Sequence, residues 1–284
     1  MIAPSRPVQR VGHIGDDDNR FCGASVFTEL APRGDGAVEL LALAVGAPRL
    51  TAVDREALRC VALCTTSPDA RVWPLKLART LASYGNPVAG CYGAQLGNAS
   101  RSMGPGTATG AATSLVWLRE RVGDEPDRTA LTDAVVAHQR ERGRILGFGV
   151  PFRKEDERLL AMHRFLADHP TTRRPTWRLH MQVIEVMRAL HGLEPNVVFP
   201  SAALFTDLGV QPHRAGMLLS MIMGHNFAAH AIEAAEQDGP WLQELPPSAI
   251  DDHSRAPRRS PAAEATAALT AGSVATAPRR SLAW

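Results

Sequence analysis

Apolar positions recur at helical spacing along most of the chain. VELLALAVGA, from Val38, is apolar nearly all round, the pattern of a helix buried on every side. Thr51 with Asp54 three residues on forms an approximate capping box, so AVDREALRCVALCTT starts as a helix there, and Ser67-Pro68-Asp69 ends it with turn chemistry. RVWPLKLARTLASYG resumes, with Pro74 near its first turn and Gly85 as its stop. Pro87 to Leu96 is a further apolar stretch. The small-residue run SMGPGTATGAATS follows, then a helix in ATSLVWLRERV that stops near Gly123.

TALTDAVVAHQRERG is amphipathic, with Thr129 or Thr132 as its start and Gly143 as its stop. KEDERLLAMHRFLADH carries acids in its first turn, as the helix dipole favours. WRLHMQVIEVMRALHG repeats apolar residues at three and four and ends at Gly192. SAALFTDLGV predicts one short helix, and PHRAGMLLSMIMGHNFAAHAIEAAEQDG is read as the last, with a break near His225. No run alternates as a strand does, so the chain is expected to be all-α. Residues 1–19 are polar and read as an arm. From Asp251 the chain turns to Ala, Pro, Ser and Arg, with APRRS twice, so residues 251–284 are expected to be a disordered tail.

Composition narrows the class. The chain has 284 residues, 45% hydrophobic and 21% charged, which is ordinary globular usage. A net charge of +2 and 5% aromatics give neither the basic surface nor the stacking platforms of a nucleic-acid binder. No apolar run reaches the ~20 residues of a membrane span. MIAPSRPVQR lacks the apolar core of a secretory signal. Cys22, Cys60, Cys64 and Cys91 include no C-x-x-C pair, and no metal-ligand spacing stands out, so a reduced, cytoplasmic protein without a metal is expected. GPGTATG lacks the Gly-Lys-Ser ending of a P-loop.

Glu194 to Glu233, EPNVVFPSAALFTDLGVQPHRAGMLLSMIMGHNFAAHAIE, resembles the citrate synthase family. That family has Pro-Asn-Val-Asp-Phe-x-Ser, a helix, a Leu-Gly turn, and a long helix ending Ala-His-x-x-Glu. Pro195, Asn196, Val197, Phe199, Ser201, Leu208, Gly209, Ala229, His230 and Glu233 match. Upstream, Gly147, Phe148 and Gly149 match a Gly-Phe-Gly-His loop, and Asp156 to Arg158 echoes its Asp-Pro-Arg. Gly104 and Pro105 match a Gly-Pro-Leu-His-Gly-Gly-Ala helix start. The likeness spans roughly residues 20 to 245. It implies an all-α fold: a large helical domain from 20–112 and 194–250 that holds a dimer contact, a small helical domain from 113–193, and an acyl-CoA between them.

The resemblance fails where the family does its chemistry. Its first histidine, which polarises the acyl-CoA carbonyl, falls at Thr107. Its second, acting on the keto acid, falls at Val150, and its proton-removing aspartate falls at Val198. Two of these three positions are aliphatic and can neither give nor take a proton. Of the carboxylate-gripping arginines, Arg158 matches one, Met223 occupies another, and LQELPPSAI, where a third is expected, has none. The family's histidine on an earlier helix lies near Cys64 or Thr66. These replacements run toward an apolar cleft.

Single residues carry alternatives. Thr107 is a hydrogen-bond donor to a carbonyl or the N-cap of its helix. His225 is the only new imidazole near the inferred site, for catalysis or for helix packing. Cys64 is a substrate contact or a core thiol, without an evident partner base. Arg153 and Lys154, beside Gly147, Phe148 and Gly149, meet the phosphates of a CoA-like ligand or simply start a helix. Three functions follow from the resemblance. One is an enzyme of altered chemistry, forming, cleaving or cyclising a carbon–carbon bond on an apolar or acyl-thioester substrate. Another is a non-catalytic binding protein or inert partner subunit, as a homodimer or with a paralogue. The last, an ordinary citrate synthase or citryl-CoA lyase, is disfavoured by the missing groups.

Overall fold

Among the described residues, eleven α-helices, one small sheet, a π-helical turn at Val26–Leu30 and a 3-10 turn at Pro170–Arg173 make up the regular structure. They are seen in a computed structural model that describes residues 10–14, 18–100, 103–150 and 154–237. The sheet lies where the sequence shows only polar residues. Strands β1 (Gly12–Ile14), β2 (Asn19–Phe21) and β3 (Ala24–Ser25) pair antiparallel in that order. Cys22 and Gly23, with φ of 47° and 84°, make the two-residue turn between β2 and β3. Positive φ at both central residues matches the right-handed twist of a hairpin. Strands of two and three residues are too short to alternate visibly, so none was expected; β1 falls within residues 1–19, read as an arm, and the fold is all-α as expected. The expected tail lies outside the described residues.

The helices are α1 (Gly36–Ala44), α2 (Ala52–Cys64), α3 (Trp73–Ala82), α4 (Pro87–Asn98), α5 (Pro105–Val122), α6 (Arg128–Arg142), α7 (Glu157–Phe165), α8 (Pro175–His191), α9 (Val198–Asp207), α10 (Pro212–Ile222) and α11 (Gly224–Glu236). The Thr51–Asp54 capping box is present at α2. Gly192, with φ 63° and ψ 25°, ends α8 in the left-handed conformation expected of it.

Three boundaries differ from the sequence reading. Helix α5 starts at Pro105 and takes in the small-residue run, because Gly104 supplies the entry turn with φ of 50° and alanines fill the close-packed face. Helix α6 is capped not by a threonine but by Asp127, whose carboxylate accepts from Ala130 N at 2.9 Å. The long last helix is two, divided at Met223–Gly224.

The main core joins α2, α5, α6, α8, α9 and α10 around Leu115, Leu118, Met187, Phe199, Phe205 and Leu218. A second cluster, with Leu75, Ala78, Ala94 and Phe227, joins α3, α4 and α11. A Cβ on Gly90 would lie 2.6 Å from Ala82 Cβ, so glycine allows α3 and α4 to cross closely. Buried Arg79 of α3 reaches Glu233, Gln237 and His230 of α11, which gives the family-matching His230 and Glu233 a cross-helix structural part. Asp207, at the end of α9, accepts from the backbone N–H groups of Thr176 (3.0 Å) and Trp177 (2.8 Å) and so caps α8 from another helix. No helix among the described residues is long and apolar enough to cross a membrane.

Candidate functional site

The loop Gly147–Val150 is fastened along its main chain to the approach to α9. Gly149 N donates to Glu194 O at 2.7 Å, and Asn196 N donates to Gly147 O at 2.9 Å. Phe148 bridges antiparallel to Pro195. The Asn196 side chain completes the join: Nδ2 donates to Gly149 O at 3.1 Å, and Oδ1 accepts from Val198 N at 3.1 Å. Gly147 has φ of 95°, and a Cβ there would sit 2.8 Å from Phe199 Cβ. Glycine is therefore required twice, for the backbone angle and for the aromatic beneath. Phe148 packs on Phe199 with ring centroids 4.7 Å apart and the planes tilted by 52°. This zipper connects the stretches that carry Val150 and Val198, two half-buried aliphatic residues separated by 48 positions in sequence.

Asp156 locks the zipper from behind. It is fully buried and caps α7. Its carboxylate accepts from Arg158 N (3.1 Å), Arg158 Nε (2.9 Å), Arg158 Nη2 (2.9 Å) and Val197 N (2.9 Å). Burial pushes this carboxyl up, but the fork of Arg158 and the two amides outweigh it and hold the acid below its ordinary range. Arg158, placed among substrate-gripping residues by the resemblance, has its bidentate edge turned inward to Asp156. The acids of KEDER looked like first-turn helix charges. Only the tertiary fold shows that one of them reaches the Val197 amide.

Thr107 is buried in α5, which packs against both α9 and α10. It is not an N-cap: Gly104 holds that place, and Thr107 is the third helical residue. Leu146, just before the loop, packs over Gly110, one turn further along α5. Thr109 accepts from Gly216 N of α10 at 3.2 Å, so the α5 entry and α10 are bonded directly.

A second group gathers where α2 ends and α11 begins. Met223, half-buried at the helix break, touches both core clusters. His225 is exposed. Its Nδ1 lies 2.9 Å from Ile222 O, which can only accept, so Nδ1 carries the proton. Its Nε2 then accepts a hydrogen bond from the Thr66 hydroxyl, 3.1 Å away. Helix α11 thus places an imidazole beside Thr66. Asn226 fixes the junction: Oδ1 accepts from Ser67 N at 2.7 Å, and Nδ2 donates to Met223 O at 3.2 Å and Thr65 O at 3.4 Å. Cys64 is buried in the main core with its sulfur 3.9 Å from that of Cys60. The bond the two share, together with burial, pushes the Cys60 thiol up. Lys154 is exposed, and Arg153 lies outside the described residues. No cluster of three or more His, Cys, Asp or Glu side chains suited to a metal occurs among the described residues.

Solved structures share this architecture. The chain resembles citryl-CoA lyase from Hydrogenobacter thermophilus at TM-score 0.69 and 16% identity, over 89% of this chain and 96% of that one. It resembles ATP citrate lyase from Methanothrix soehngenii, solved with citrate and coenzyme A, at TM-score 0.70 and 16% identity; 90% of this chain matches 43% of that one. Citrate synthase from Thermoplasma acidophilum, in a ternary complex with carboxymethyl coenzyme A and oxaloacetate, matches at TM-score 0.59 and 16% identity, over 82% of this chain and 61% of that one. At such identities the likeness speaks for the fold alone. None of the curated proteins matches. Residues 78–242, more than half of the chain, match the family model for the citrate synthase C-terminal domain. That span holds the zipper, Asp156, the α5 entry and the α10–α11 break, and on it the chain is a member of the citrate synthase family.

Proposed function

We propose that this protein is an enzyme of altered chemistry on the citrate synthase scaffold. It makes, breaks or cyclises a carbon–carbon bond in an apolar acyl thioester and takes no dicarboxylate. The observation that carries this reading is the Gly147–Val198 zipper. Its reacting-side residues are Val150 and Val198, and its one matching arginine is turned onto Asp156. A dicarboxylate bound there would lack partners for its charge, a cost of several kcal/mol per group. An apolar chain carries no such cost.

In this reading Thr107 donates its hydroxyl to the thioester carbonyl. The Nε2 lone pair of His225, with Nδ1–H held on Ile222 O, takes up a proton. Val150, Val198, Met223 and Cys64 face the acyl chain. Gly147, Phe148 and Gly149 give the pantetheine arm a close approach, and Arg153 and Lys154 meet the CoA phosphates. Residues 20–112 and 194–250 form the large domain and 113–193 the small one. The protein works in the cytoplasm as a homodimer. The dimer is supported by Val88, Tyr92 and Leu96, which repeat every four residues along α4 at 65%, 64% and 78% exposure. Such an apolar stripe fits burial against a second copy.

Thiol release from acetyl-CoA with oxaloacetate, set against release from octanoyl-CoA without a keto acid, tests the substrate class. Release with the octanoyl thioester alone is expected, the α-carbon of one molecule, its proton removed, bonding to the carbonyl carbon of a second, whose thiolate leaves with that proton as free CoA. Turnover of acetyl-CoA and oxaloacetate at a normal synthase rate would overturn the reading. Val150→His with Val198→Asp is expected not to restore citrate formation, because the arginine clamp is still missing. Absence of release from any thioester, with assembly onto a catalytically active relative, would put an inert subunit in its place.

A further inference from the structure

A second recess lies where α7 and the turn after it meet α8. It encloses about 400 Å³, within the range of small-molecule sites, and its lining includes His163, Ala167, Trp177, Arg178, Met181 and Gln182. The protonation of its imidazole follows from bonding alone. His180, fully buried behind it, places Nδ1 against the carbonyl of Trp177, so that nitrogen is the protonated one. The neutral ring then leaves His180 Nε2 as an acceptor, and it lies 3.3 Å from His163 Nε2. His163 must donate there, and its Nδ1 is left as a bare acceptor with no partner among the described residues. Gln182, in the same wall, has Oε1 buried and without a hydrogen bond. Arg178, the cation at the recess, is held by Glu125 at 2.6 Å. Thr172, also in the lining, spends its hydroxyl proton on His169 O at 2.8 Å, and Ala167, Trp177 and Met181 make up the apolar part.

We propose that this recess is a binding site for an uncharged aromatic heterocycle with a ring N–H. The flat body packs against Trp177 and Met181, and the N–H donates to His163 Nδ1. A ligand that offered an acceptor would face a second lone pair, and a charged one would enter with its counter-charges already paired. The site is separate from the thioester cleft and stands whether or not that reading holds.

Indole and benzofuran, nearly equal in shape, differ in the N–H alone. Saturation-transfer NMR on the full chain, with affinities from titration, is expected to show indole binding about tenfold tighter than benzofuran. His163→Phe removes the acceptor and is expected to erase that difference. Since that change also deprives His180 of its donor, Ala167→Trp provides a variant that leaves the imidazole pair alone. It fills the recess from its exposed rim and is expected to abolish binding of both probes. Equal affinity for the two probes, binding of neither, a preference that survives His163→Phe, or indole binding unchanged in Ala167→Trp would each overturn the proposal.

Discussion

The zipper behind Val150 and Val198 differs in kind from the junction that carries His225. The zipper is built from main-chain bonds, a buried acid and a glycine that tolerates no side chain. Its polar groups are all spent on one another, so it holds shape and has no proton to offer. The junction of α2 and α11 is open at Thr66 and His225 and anchored beneath by Asn226, and the Nε2 lone pair of its exposed imidazole is engaged by the Thr66 hydroxyl. In the proposed reading, stability and reactivity thus sit on different elements. Substitutions in the zipper should unfold the protein, whereas substitutions at the junction should change only what it does.

The largest expected effect is at Asp156. Asp156→Ala leaves the Arg158 guanidinium and the Val197 amide without their buried acceptor and is expected to cost about 3–5 kcal/mol, measured by urea denaturation. Gly147→Ala comes next. It forces a side chain into a φ of 95° and onto Phe199, for an expected loss of about 2–3 kcal/mol. A milder challenge is acid. Burial, with His163 close by, lowers His180 to about 3 from its ordinary 6.5. Burial, with Arg188 adding to it, lowers His163 as well. Folded values below unfolded ones mean that the unfolded chain binds protons the native chain refuses. Stability is therefore complete above pH 6.5 and declines as pH falls toward the carboxylate range. The expected slope is at most about 1.4 kcal/mol per pH unit for each imidazole, read from denaturation midpoints between about pH 7 and about pH 5. The smallest effect on folding is at His225. His225→Ala is expected to change stability by less than about 0.5 kcal/mol while removing most thiol release. A loss at His225 equal to that at Asp156 would erase the contrast between the two regions.

Helix positions were legible where a local rule decides them, as at the Thr51–Asp54 box and Gly192. They were misread where the deciding contact is distant. Nothing near Pro105 in sequence shows that α10 will press on the α5 entry and hold its small residues helical. The division of the last helix depends on Asn226 bonding to Thr65 and Ser67, 161 and 159 positions away. The stretches carrying Val150 and Val198 were brought to one site by family likeness, not by any periodic signal. Main-chain pairing between Gly147–Gly149 and Glu194–Asn196 leaves almost no mark on side-chain choice, since the bonded atoms are common to every residue. Asp156 was visible as an acid, and its burial was not. His225 was legible as a candidate, but its tautomer required the carbonyl of Ile222.

The interruption at Met223 is more than a fault in a long rod. One asparagine splints it to the end of α2 by two bonds, to Ser67 N and Thr65 O, and closes on the kink itself by a third, to Met223 O. A hinge needs slack, and this kink has none. Any closing motion of the molecule must therefore carry α2 and the start of α11 together, with the Thr66–His225 contact travelling intact.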